Sequence, residues 1–152
     1  MNNECITYYE AAYTRKRTVH AGYAMTGKTF AGPLTGYQGS GPALAPDPLA
    51  AGDGGNIVCP AAPTAAGEAS GVISWDVASG SKAVLISGEG TVLPVTAGAA
   101  VAIGNALTVD ASGRVVPAAA TNVVVGKARS AAGAAGVDVV VELGPLSPSV
   151  KA

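Results

Sequence analysis

The chain has 152 residues, 9 Lys or Arg against 10 Asp or Glu, and 49% hydrophobic residues, which suits one domain or two small halves sharing one core. Alanine supplies 31 of the apolar residues, and Leu, Ile, Val and Phe together only 33, so the core is thin and subunit contacts are expected to add stability. A net charge of −1 without a sustained basic face excludes a nucleic-acid footprint, and no apolar run of about 18 residues is present to span a membrane as a helix.

The first residues, Met1-Asn2-Asn3-Glu4-Cys5, lack the basic and apolar regions of a secretory leader, which predicts a soluble cytoplasmic product without a structural disulfide between Cys5 and Cys59. Residues 6–9 and 14–20 read as strands. Tyr8, Tyr9 and Tyr13 stand ahead of Arg15-Lys16-Arg17, a mix of amphipathic aromatics and cations typical of contact surfaces. We read residues 1–13 as an extended arm, and Tyr8, Tyr9, Tyr13, Arg15, Lys16 and Arg17 as the candidate contact residues.

Next comes a strand over 28–30, preceded by Gly22-Tyr23-Ala24-Met25-Thr26-Gly27-Lys28-Thr29, which satisfies the phosphate-loop pattern. That loop needs a following helix whose N-terminus receives the phosphates. Gly32, Pro33 and Gly36 leave no room for one, so nucleotide binding is rejected. The lysine is read as incidental, and Lys28→Ala is expected to be almost neutral.

Residues 36–67 hold Pro42, Pro46, Pro48, Pro60 and Pro63 among many Gly and Ala and read as a long loop interrupted by one strand over 56–58. Further strands are expected at 73–77, 82–86, 91–95, 106–109, 115–116, 123–128 and 137–143, where apolar and polar residues alternate and β-branched residues are frequent. Trp75 is expected as a core or interface anchor, and residues 110–113 as a hairpin connection. The Ala-rich stretches are bracketed too closely by Gly and Pro for a helix.

A pattern occurs twice. Val19-His20-Ala21-Gly22 returns as Val95-Thr96-Ala97-Gly98, an offset of 76 (97 − 21), and the later Gly27 is answered by Gly104 at 77 (104 − 27), as if one residue had been gained. Gly71 to Gly80 is answered by Gly126 to Gly136. This predicts an internal duplication of about 14–86 and 91–143, with 36–67 as an insertion in the first copy.

Catalytic and metal-binding chemistry finds no support. His20 is the lone histidine, no nucleophile elbow is present, and Cys5 and Cys59 lack metal-ligand spacing. No catalytic, cofactor-binding or metal-binding residue is assigned, and the chain is not read as an enzyme.

The order of Val-x-Ala-Gly, Thr26-Gly27-Lys28-Thr29-Phe30, Gly71-Val72, Asp76-Val77-Ala78-Ser79-Gly80, Asp110-Ala111-Ser112-Gly113-Arg114-Val115-Val116-Pro117, Gly126-Lys127-Ala128 and the 137–143 strand resembles the capsid decoration, or cement, proteins of tailed bacteriophages over about 14–145. The resemblance implies a small β-rich protein that binds the exterior of the expanded head and stabilises it, often as a trimer, with the major capsid protein as partner and the virion surface as location. The expected fold is all-β: a small barrel-like or sandwich-like domain over 14–145 built from an internal duplication, with the 1–13 arm and a tail over 146–152. The alternative reading is a β-rich module of a phage fibre or baseplate that recognises carbohydrate or another surface ligand.

Overall fold

A computed structural model of the chain describes residues 5, 7–8, 14–35, 59–144 and 149–151. Among them are thirteen short strands and no helix: β1 (Arg15–His20), β2 (Phe30–Ala31), β3 (Leu34–Thr35), β4 (Cys59–Pro60), β5 (Gly71–Ile73), β6 (Lys82–Ser87), β7 (Val92–Thr96), β8 (Ala106–Val109), β9 (Val115–Pro117), β10 (Val123–Val124), β11 (Gly126–Ala128), β12 (Asp138–Leu143) and β13 (Ser149–Val150). The first sheet has the order β1-β6-β5-β2 and the second β7-β12-β11-β8-β9, with two small ribbons, β3-β4 and β10-β13. Every strand pair is antiparallel. Both main sheets stay open, so the architecture is sandwich-like and no barrel closes.

The four strands of the first sheet match β7-β12-β11-β8 of the second in order and register. Val19 faces Ala83 as Val95 faces Val139. Val72 faces Ile86 as Lys127 faces Glu142, and Ala31 faces Gly71 as Leu107 faces Gly126. The isolated bridge Met25–Val77 recurs as Val101–Ala132. Gly71 and Gly126 match for a physical reason: a Cβ would stand 2.8 Å from the Ile86 carbonyl oxygen at the first and 2.5 Å from the Glu142 carbonyl oxygen at the second. Only a glycine allows that approach.

The same correspondence corrects the sequence alignment at one point. Lys28 N–H donates to Ile73 O as Gly104 N–H donates to Ala128 O, and both residues are left-handed, with φ of 60° and 85°. Lys28, not Gly27, is therefore the partner of Gly104, and no residue has been gained between the copies.

Strand alternation puts two residue sets on opposite faces of each sheet. In the first sheet Val19, Ala21, Met25, Ala31, Ile73, Val77, Ala83 and Leu85 form one buried cluster. Their equivalents in the second sheet, Val95, Ala97, Val101, Leu107, Ala128, Ala132, Val139 and Val141, belong to the main core. What closes that main core is the back of the first sheet: Phe30, Val72 and Ile86 are buried in the same cluster. The corresponding back of the second sheet carries Ala106, Lys127 and Glu142, none of them buried. The units are thus stacked back to front, apolar at the junction and charged at the far end.

Three local expectations are corrected. The strand expected at 73–77 leaves the sheet after Ile73 because Gly27 N–H takes the Asp76 carboxylate at 2.9 Å and Val77 bridges Met25; Trp75 is turned outward, 44% exposed, and is no core anchor. The strand expected at 123–128 divides at Val125, whose N–H donates to Leu107 O while 123–124 pair with β13. The strand expected over 56–58 lies outside the described residues. Residues 110–113 do connect a hairpin, with the Asp110 carboxylate accepting from the N–H groups of Ser112 and Arg114 and Gly113 left-handed at φ 76°.

Candidate functional site

The basic triplet lies on β1, which has a hydrogen-bonded neighbour in its sheet on one side only, β6. Arg15, Lys16 and Arg17 are all exposed. Arg15 stands opposite Ser87 and Arg17 opposite Leu85, so the two arginines share the face of Val19 while Lys16 points to the other. Tyr9 and Tyr13 fall outside the described residues.

Tyr8 is attached to the other sheet. Its N–H donates to Val92 O at 2.8 Å, at the start of β7, and its ring is 64% exposed. Thr14 and Thr91 hydroxyls bond at 2.6 Å, so Tyr8 and Arg15 are brought to one end of the molecule, flanking the starts of β7 and β1. The segment leading there is anchored: Cys5 N–H donates to Ser74 O at 2.6 Å, its Sγ donates to Pro94 O at 3.4 Å, and its side chain is buried in the main core. Burial pushes the Cys5 thiol up to about 12, with Lys28 opposing and Asp138 adding to the shift.

Behind the arginines the first sheet leaves a cavity of about 300 Å³, lined by Arg15, Arg17, Glu68 and Ser87 with apolar walls from Phe30, Leu34, Leu85 and Leu143. Sequence reading missed it. The signal was present in the repeat, because the positions that match Arg15, Arg17 and Ser87 in the second unit are Thr91, Leu93 and Leu143, all buried.

The loop that mimics a phosphate site is built for another purpose. Thr29 is followed by β2 and not by a helix. The Lys28 ammonium donates to the Asp138 carboxylate at 2.7 Å, the Thr29 hydroxyl donates to Thr26 O, and Lys28 O accepts from Thr96 N–H at 2.8 Å. Lys28 therefore ties the first unit to the second and is not incidental. Among the described residues no group of three or more His, Cys, Asp or Glu could hold a metal ion, and no helix is long and apolar enough to cross a membrane.

These features can be set beside known proteins. No curated protein matches the chain significantly. Among solved structures, the N base of head fiber gp8.5 in bacteriophage phi29 superposes with a TM-score of 0.61 at 18% identity, covering 86% of this chain and 93% of that one; at that identity the likeness is one of fold. The phage cement protein family matches residues 48–143, a span from ahead of β4 through the end of β12 that includes the whole second sheet. With more than half of the chain matched, the protein belongs to the phage cement family and is a structural decoration protein of the phage capsid.

Proposed function

We propose that this protein coats the outer face of an expanded icosahedral head as a homotrimer, gripping the major capsid protein with the end of the molecule that carries Tyr8 and the basic strand. The observation that supports this reading is the convergence of an exposed tyrosine and Arg15, Lys16 and Arg17 on one end through the Val92 and Thr91 contacts. Tyrosine supplies buried area with a polar handle, and exposed cations steer a partner of opposite charge. Tyr9 and Tyr13 are included on sequence grounds. Trimer contacts supply the apolar burial that an alanine-rich core lacks.

The experiment is co-sedimentation of the purified protein with empty expanded and unexpanded phage heads, alongside sedimentation equilibrium of the protein alone. Saturable binding to expanded heads only, and a trimer in solution, are expected. Equal binding to both head forms would remove the expansion requirement, and a concentration-independent monomer would remove the trimer. Tyr8→Ala should weaken binding severalfold, and the triple change Arg15→Ala, Lys16→Ala, Arg17→Ala should weaken it mainly at low salt, since exposed charges are screened beyond about 8 Å at physiological ionic strength.

A further inference from the structure

The two stacked units differ most where one sheet would seat on another. In the second unit the inner-face positions Thr91, Leu93 and Leu143 are buried in a core closed by the apolar back of the first unit. In the first unit the same positions are Arg15, Arg17 and Ser87, and they line the cavity of about 300 Å³. Among the described residues the first unit thus carries charged and polar side chains around a cavity at positions that are buried in the second. The cavity walls are apolar, from Phe30, Leu34, Leu85 and Leu143, while two guanidiniums stand at the β1 side. Among the described residues neither arginine is paired with a carboxylate. Among the described lining residues Glu68 is the one acid, which leaves their charge net positive.

We propose that this seat receives an extended segment of the capsid protein with the pattern acid-apolar-acid. The assignment rests on the capsid-binding reading above and adds the chemistry of the partner. Arg15 and Arg17 are two apart on a strand, so their side chains leave one face about 6.5 Å apart. An extended partner spaces alternate side chains by the same distance, and two carboxylates at that spacing each meet one guanidinium, whose planar fork favours carboxylate geometry. A neighbouring apolar side chain of the same segment enters the cavity against Phe30, Leu34, Leu85 and Leu143. Desolvation by those walls strengthens both charge pairs relative to exposed ones. A single-sign basic patch would bind any acidic surface; a walled seat selects a segment that brings acid and apolar groups together.

The test uses the full chain and expanded empty heads. Arg15→Glu with Arg17→Glu should weaken binding at least tenfold at low salt, and by less at physiological salt. Ser87→Trp, which changes no charge and fills the cavity opposite Arg15, should weaken it by a similar factor with the melting temperature kept. Lys127→Glu, a charge reversal on the exposed back of the second sheet, should bind within threefold of wild type. Wild-type affinity in the Ser87→Trp protein, or in the double reversal, would overturn the seat while leaving decoration of the head intact. A second arm is independent of heads: a fluorescent extended peptide with a Glu-Leu-Glu centre should bind the wild type saturably, and the Gln-Leu-Gln peptide at least tenfold more weakly. Equal binding of the two peptides, or none of the first, would overturn the proposal even if heads themselves are not bound.

Discussion

Lys28 and Gly104 occupy one position of the repeated unit, both with a left-handed backbone, and only the lysine bears a side chain there. A non-glycine residue in that region costs about 1–2 kcal/mol. It is held because the ammonium reaches Asp138 across the junction between the units, from a side chain that is 13% exposed. Lys28→Gly and Lys28→Ala both lose the ion pair, but only the alanine variant keeps the strain. Urea denaturation should therefore rank the glycine variant above the alanine variant by about 1 kcal/mol. The alanine variant should fall below wild type by up to about 1 kcal/mol, the scale of a partly exposed pair. The reverse ranking would mean that the left-handed backbone carries no strain.

Gly71→Ala and Gly126→Ala should each destabilise by about 2 kcal/mol or more, since the new Cβ would press on the backbone carbonyl of Ile86 or Glu142 and neither strand can retreat without losing its ladder. Gly22 shares the repeated Val-x-Ala-Gly motif, but a Cβ there would meet nothing within 4 Å. Gly22→Ala should stay within about 0.5 kcal/mol of wild type. Thermal melts of the three variants check the contrast.

The Cys5 thiol ionises near its ordinary value of 9 when the chain is unfolded and near 12 when it is folded and buried. Between those pH values the unfolded chain holds fewer protons. The contribution of Cys5 to stability is therefore constant below pH 9 and falls as pH rises, by at most about 1.4 kcal/mol per pH unit. Burial shifts the Tyr23 phenol in the same direction, and it is retained in a Cys5→Ala variant. The difference in slope between wild type and Cys5→Ala from pH 9 to 11 isolates the thiol; parallel slopes would show that Cys5 is accessible in the folded protein. The native thiol should also resist maleimide at pH 8.

Much of the architecture was legible because two signals do not depend on tertiary context. Period-two alternation located β1, β6, β7, β8, β9 and β12 to within a residue or so, and the repeated Gly71 and Gly126 mark positions that pair alike in the two sheets. What failed did so where a distant partner decides. Asp76 bonds a backbone group 49 residues away and so turns Trp75 outward; nothing local distinguishes it from a strand residue. The Gly27–Gly104 alignment was one residue out because sequence matching pairs glycine with glycine, whereas the conserved quantity is a backbone angle that Lys28 also adopts. Of the candidate contact residues, the exposure of Tyr8, Arg15, Lys16 and Arg17 was legible from polarity. The burial of Cys5 was not, since one cysteine in a polar segment gives no periodic signal.

The charged back of the second sheet makes a further prediction. Lys127→Val with Glu142→Ile would restore there the residue types found at Val72 and Ile86, which seat on the neighbouring unit. The variant should associate in a concentration-dependent manner into head-to-tail oligomers longer than a trimer, because such a contact is heterologous and need not close. Light scattering that matches wild type at every concentration would show that the charges do not limit stacking.

Consider growth on a surface. A molecule whose stacking direction ends in Lys127, Arg129 and Glu142, with Arg129 and Glu142 paired to each other, carries charge where the first unit carries the apolar Phe30, Val72 and Ile86. If the first unit grips the head as proposed, the second sheet's charges are expected to hold the coat to a single layer, with excess protein left free in solution.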